Sequence, residues 1–255
     1  MEATTKKRIL LTGAAGRIGT AFRQYAGHRY ALRLAFHHTP VADPGEHEVF
    51  GLDVSDLESC QRACAGMDMV VHMAADPHPT ADFYASLLPN NILGPYNILR
   101  AAKDQGCQRA ILASSVQAVD GYPLDVQIRP EMPVWPASLY GAAKAFTEAA
   151  AKHFAYNEGL SCVCIRIGSF ESERMIQQLN PHRLSKFVTR RDMSHLIERS
   201  IETPNIRFAL LHGVSNNRFK RLDITSTREL VGYDPQDDAF QLFGYVMNTA
   251  DPWSR

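Results

Sequence analysis

The chain reads as an α/β protein built on a doubly wound parallel sheet. Three observations predict this. Strand-like and helix-like segments alternate from the start. A glycine-rich turn, Gly13-Ala14-Ala15-Gly16-Arg17-Ile18-Gly19, joins the first strand to the first helix. With 255 residues, 45% of them hydrophobic, the chain can bury one full core.

The elements follow in order. Residues 9–12 are a short apolar strand and residues 16–25 open the first helix. Residues 31–36 read as strand two, and residues 49–52 as strand three, ending at Asp53. Residues 68–73 form strand four, followed by Ala74-Ala75, and a long helix covers 83–105. Strand five, 109–113, ends at Ser114-Ser115; a helix over 139–157 follows, then strand six over 161–166. After Gly168-Ser169 segments shorten and polar loops intervene, with a helix near 191–202 before a strand at 207–211. We therefore expect one domain over 1–255, with a core at 1–166 and a mixed cap with the last sheet elements at 167–255.

Bulk properties exclude several functions. Lys plus Arg equals Asp plus Glu at 27 each, so no net field draws nucleic acid or an anionic membrane. The pairs Arg190-Arg191 and Lys220-Arg221 read as solvated faces. Five cysteines lack disulfide or zinc spacing. Cys60 and Cys64 are i,i+4 on a helix, and Cys162 and Cys164 share one side of a strand. They read as small buried hydrophobes of a reducing cytosol, and no metal site is expected. The N-terminus runs directly into a strand, and no signal-length or membrane-spanning apolar stretch occurs, so a cytoplasmic location is expected.

The first turn carries a dinucleotide signal. Gly13 permits a tight turn, Gly16 lets backbone approach a pyrophosphate, and Gly19 lets the helix pack on the sheet. Helix N-terminal N–H groups then hold phosphate oxygens. This gives a Rossmann-like fold, with a dinucleotide-binding core over 1–166 and a small C-terminal substrate-binding region. The cofactor is NAD or NADP. Strand two ends Phe36-His37-His38 without the acid that selects NAD, and Arg17, His37 and His38 could surround a 2′-phosphate, a slight lean toward NADP. Tyr140 and Lys144 stand one turn apart on a helix face. An ammonium near a phenol favours the phenolate, which suits a general base.

These residues resemble the extended short-chain dehydrogenase/reductase family, of the NAD-dependent epimerase/dehydratase kind. The landmarks are the glycine turn, Leu52-Asp53-Val54, His72-Met73-Ala74-Ala75, Asn91-Ile92-Leu93-Gly94, Ser114-Ser115 and Tyr140 with Lys144. Within it, the chain looks most like the uronate dehydrogenase branch and related sugar dehydrogenases, through Ile165-Arg166-Ile167-Gly168-Ser169, His182-Arg183-Leu184-Ser185 and Gly232-Tyr233-Asp234-Pro235. The resemblance implies that Tyr140 exchanges the substrate hydroxyl proton, Lys144 holds the nicotinamide ribose and lowers the phenol pKa, and Ser115 binds the reacting oxygen. Gly13, Gly16, Arg17, Ile18, Gly19, His37, Asp53, Val54, Ala74, Ala75, Asn91 and Ile167 would serve the cofactor, with Tyr140 and Lys144.

It also implies oxidation of a sugar or sugar acid. Arg183 would clamp a carboxylate, unless it pairs with Glu171 or Glu173 instead, and Ser169 would contact the substrate. Asp76, Val116 and Gln117 depart from the branch and put the uronate in question: the loop Asp76-Pro77-His78-Pro79 resembles that of relatives acting on a hexose phosphate. The stretch 170–181 is also longer than the branch leads us to expect. The small-molecule substrate is the one partner implied besides a second copy, since relatives pair through the helices at 83–105 and 139–157. Ala142, Phe146, Ala149 and Ala150 suit that interface and core packing equally. Two other functions fit the same motifs: a nucleotide-sugar epimerase or dehydratase, and a non-catalytic dinucleotide sensor.

Overall fold

The computed structural model describes residues 6–172, 176–177 and 180–244. Its main sheet contains β1 (Arg8–Thr12), β2 (Ala31–Phe36), β3 (Glu48–Gly51), β4 (Met69–His72), β5 (Arg109–Ser115), β6 (Ser161–Ile167) and β9 (Phe208–Gly213). These seven strands pair in parallel in the order β3-β2-β1-β4-β5-β6-β9. The order reverses beside β1, and a crevice opens there outside the carboxyl ends of the strands.

Side-chain alternation divides the core into two layers. Ile9, Leu11, Val71, Ile111, Val163 and Ile165 point to one face and pack on Phe22 of α1 (Arg17–Ala26) and on Leu196 and Ile197 of the helix Arg190–Glu202. Leu10, Val70, Leu112, Cys162 and Cys164 point to the other, against α2 (Leu57–Cys64), α3 (Gly94–Asp104) and α4 (Leu139–His153). Helices on both faces explain why β4 and β5 are buried at every position. All five cysteines are free and buried in this scaffold.

The long helix expected over 83–105 is two pieces. Residues Phe83–Leu93 coil with π-type hydrogen bonds, such as Leu87 N–H to Asp82 O at 3.0 Å, and α3 continues from Gly94. Pro89 sits inside this stretch and supplies no N–H, so a regular α-helical ladder cannot pass through it.

Beyond β6 the chain turns at Gly168 into a small parallel pair, β7 (Ser169–Phe170) with β8 (Phe187–Val188), before β9 returns beside β6. Gly168 is required there, because a Cβ would lie 2.0 Å from the Lys186 carbonyl oxygen. One expectation fails in this region: Arg221 is no solvated surface residue but is 3% exposed. Its guanidinium donates to the carbonyl oxygens of Tyr122, Pro123 and Val126, a long-range role that its neighbour Lys220 does not announce.

Arg166 on β6 is a fully buried charge, 1% exposed. Its Nε and Nη2 each donate to the Glu148 carboxylate of α4 at 2.8 Å, and Ser114 Oγ donates to the same group at 2.5 Å. Removing one partner of such a pair leaves a buried charge uncompensated. Glu148→Ala is therefore expected to lower the unfolding free energy by about 3–5 kcal/mol in urea titrations; a loss under about 1 kcal/mol would show that the pair does not hold α4 to the sheet.

Candidate active site

Two clefts meet over the first βα turn and share Gly13, Ala15, Gly16 and Ala75. Three glycines shape that turn. Gly13 has φ 66°, and a Cβ on it would stand 2.8 Å from Ala74 N; a Cβ on Gly19 would stand 2.3 Å from Gly13 O. The β1–α1 turn thus lies directly against the end of β4. α1 begins at Gly16 with no side chain capping its N-terminus, so its first N–H groups are free to meet an anion. This cradle fits a dinucleotide pyrophosphate.

The first cleft, about 910 Å³ of open space, is lined by Phe36, His37, His38, Leu52, Val54 and Ala74 among others. It suits an adenosine. The His37 and His38 rings sit 3.7 Å apart between centroids. Asp53, expected here, does not line it: its carboxylate accepts from Ser55 N–H and Oγ at 2.8 and 2.7 Å, which holds it below the usual carboxylate range. Arg17 lines the second cleft and the two histidines the first, on either side of the shared glycine turn.

The second cleft, about 1850 Å³ of open space, gathers Arg17, Ile18, Gly19, Ser115, Tyr140, Lys144, Ile167, Val116, Gln117, Ser169 and Arg183. Separate elements deliver the central three. Ser115 ends β5, and its Oγ accepts from Gln117 N–H at 3.2 Å. Tyr140 and Lys144 lie on α4, whose first turn is capped by Ser138 Oγ accepting from Gly141 N–H at 3.1 Å. A Cβ on Gly141 would meet Gln117 O at 2.2 Å, so this glycine lets α4 approach the end of β5. The Tyr140 phenol and the Ser115 hydroxyl face each other in this cleft.

The electrostatics differ from the sequence expectation. Burial is the main influence on Tyr140 and raises its pKa; the Asp76 charge adds to this and the Ser115 hydrogen bond opposes it. Lys144 is not what sets it among the protein's own groups. Its Nζ donates to Ala113 O at 3.0 Å and lies 5.6 Å from the Tyr140 ring centroid, and burial lowers it to about 8. His72, hydrogen-bonded to Thr12 Oγ1 at 2.8 Å, is pushed to about 3 by burial and then by Lys144, so it stays neutral beside that ammonium.

Two expected contacts become supports. Asn91 lines neither cleft; its side-chain amide donates to Asp76 O and accepts from Asp76 N–H, both at 2.9 Å, pinning the loop after β4. Asp76 lines the adenosine-side cleft, not the substrate side, and its carboxylate is engaged by the His78 backbone and ring at 2.9 and 2.8 Å and by Ser86 Oγ. Glu171 does not occupy Arg183: it binds Arg190, whose N–H donates to it at 3.1 Å. Glu173, the other alternative, lies outside the described residues. Lys186, 7% exposed in the second cleft, was missed because a single lysine after a loop carries no local signal. Among the described residues no group of three or more His, Cys, Asp or Glu is placed to hold a metal ion, and no helix is long and apolar enough to cross a membrane.

Comparison with known proteins agrees with this geometry. The family model for the NAD dependent epimerase/dehydratase family matches residues 9–233. An NAD-dependent glucose-6-phosphate dehydrogenase of Haloferax volcanii is 32% identical over 250 residues, covering 91% of this chain and 94% of that protein. A uronate dehydrogenase of Pseudomonas putida is 32% identical over 242 residues, covering 94% and 87%. The crystal structure of uronate dehydrogenase from Agrobacterium tumefaciens superposes with a TM-score of 0.84 at 30% identity, over 96% of this chain and 91% of that one. The resemblance read from the motifs is thus borne out. On its fold, its glycine cradle and these relatives, the chain belongs to the NAD-dependent epimerase/dehydratase family of the short-chain dehydrogenases/reductases.

Proposed function

We propose that the protein is an NAD(P)-dependent dehydrogenase that oxidises a hydroxyl of a sugar or sugar acid, with Tyr140 as general base. The observation that carries this is the meeting of Ser115, Tyr140 and Lys144 in a cleft continuous with the glycine cradle. The nicotinamide ring, when bound, supplies the hydride acceptor. Tyr140 Oη takes the hydroxyl proton of the substrate. Ser115 Oγ, in the same cleft beside that phenol, orients the same oxygen. Lys144 holds ribose hydroxyls. Arg17, Ile18 and Gly19 serve the pyrophosphate, while His37, Val54 and Ala74 bound the adenosine and Ala75 and Ile167 the nicotinamide side. Asn91 acts through the loop that it pins.

Val116, Gln117, Ser169 and Arg183 form the substrate side. With no acid at the end of β2 and two histidines in the adenosine cleft, NADP is accepted at least as well as NAD. Five buried free cysteines suit a reducing compartment, and we place the enzyme in the cytoplasm. Phe83, Tyr84, Leu93 and Tyr96 are exposed beside Ala142, Phe146 and Ala149 of α4, a surface that suits pairing with a second copy.

Because the phenol is raised above its ordinary value and works as a base only when ionised, kcat/KM for oxidation should climb from neutral pH toward the tyrosine range. Tyr140→Phe should cost at least about a hundredfold in turnover and flatten that profile, with cofactor affinity retained. A panel of aldoses, uronic acids and sugar phosphates with both oxidised cofactors should give net absorbance at 340 nm, which an epimerase does not; Arg183→Ala should chiefly raise KM for acidic members. A strong NAD preference would overturn the reading of the histidine pair. In sedimentation, the wild type should run as a dimer or larger and Phe146→Glu as a monomer.

A further inference from the structure

The substrate end of the second cleft carries more positive charge than proton transfer needs. Lys186 is 7% exposed and lines this cleft with Arg183, Gln117 and Ser169. Its position is fixed by its own backbone: its carbonyl accepts from Ser169 N–H at 2.6 Å and abuts Gly168, where no Cβ intervenes. Its Nζ lies 3.2 and 2.9 Å from the two oxygens of Asp120. Both contacts go to one carboxylate, so the ammonium keeps an N–H without a partner among the described residues.

Asp120 is shared. It also accepts from Gln117 Nε2 at 3.4 Å and faces His182 Nε2 at 3.9 Å. Arg221 acts on the same acid, yet its guanidinium hydrogen bonds go to carbonyl oxygens. The exposed Asp125 also acts on Arg221. At His182 three cations are felt together, Lys186, Arg221 and Arg183, against the single carboxylate of Asp120. Lys186 and Arg221 thus both lean on the partly buried Asp120 before Arg183 is counted.

We propose that Lys186 is a substrate-binding residue and that, with Arg183, it seats a phosphate group, so that the enzyme takes an aldose phosphate in preference to a uronic acid or a neutral aldose. This rests on the dehydrogenase reading above. A planar carboxylate is satisfied by one bidentate guanidinium, whereas a phosphate monoester carries about −1.5 to −2 charge near neutral pH and offers three acceptor oxygens. An ammonium with rotatable donors beside an arginine matches that group.

The test compares glucose 6-phosphate, glucuronate and glucose as substrates for the wild type, Lys186→Met and Lys186→Arg. The wild type should show kcat/KM at least tenfold higher for glucose 6-phosphate than for either other sugar. Lys186→Met should lose at least ten times more kcat/KM on glucose 6-phosphate than on glucose, mainly through KM, and Lys186→Arg should keep most of the preference. A wild-type preference for glucuronate, or an equal loss on all three sugars, overturns the proposal and leaves Lys186 as a structural ion-pair partner. Should Lys186→Met fold poorly with Asp120 unpaired, Lys186→Met/Asp120→Asn removes both charges and must show the same selective loss. Inorganic phosphate gives an independent reading: it should raise the melting temperature of the wild type and not of Lys186→Met. If no sugar reduces either cofactor, the dehydrogenase reading fails, and the phosphate shift alone decides the seat; a shift retained in Lys186→Met removes it.

Discussion

Everything in the site depends on one polar face of α4. Tyr140, Lys144 and Glu148 follow each other at i, i+4 and i+8, so they form a single stripe, and all three are buried. Two are tied to the ends of β5 and β6, the ammonium to Ala113 O and the carboxylate to Ser114 and Arg166, and the phenol above them faces Ser115. A helix seated on a sheet by apolar side chains alone could slide with little change in energy. One seated by three buried polar contacts cannot, because any shift leaves a buried donor or charge unmatched. Such contacts add little net stability over an apolar replacement. What they supply here is register, and register is what brings a phenol from a helix onto a hydroxyl from a strand end.

The cofactor side is held by the opposite device, the absence of atoms. Gly13 and Gly19 let the first turn lie on the end of β4, where any Cβ would collide with backbone. The loop after β4 forms the adjoining wall, and the reciprocal amide bonds of Asn91 with Asp76 pin it. Asn91 lies in the π-coiled stretch before α3, in which Pro89 breaks the regular ladder. The irregular coil and the pinned loop are therefore neighbours.

What was legible in the chain follows from the range of the physics involved. The sheet, the glycine turn and the Tyr140/Lys144 pair rest on contacts within a turn or two of the sequence, and local pattern reports those well. Ser115 was also legible, since a strand end in this fold faces the crevice. Interactions between distant segments were not. Arg221 looked like half of a solvated basic pair but buries its guanidinium among carbonyl oxygens of residues 122, 123 and 126. Arg17 and His37 looked like partners and face different clefts. The direction of the Tyr140 shift was missed for the same reason: desolvation depends on everything packed around the ring, whereas the spacing to Lys144 is local.

The two halves of the site consequently obey different rules. Proton transfer tolerates little displacement, and the groups proposed for it sit on β5 and α4, where buried charge and close backbone packing leave no slack. The residues proposed for recognition, Ser169, Arg183 and Lys186, lie in the short segments between β6 and the helix Arg190–Glu202. There a side chain can be exchanged without disturbing the sheet, provided that Gly168 keeps the backbone of Lys186 in place. A core that constrains the proposed chemistry and short segments that carry the proposed recognition can change independently of each other. The charges around Asp120 are therefore where a preference for one sugar over another would be written.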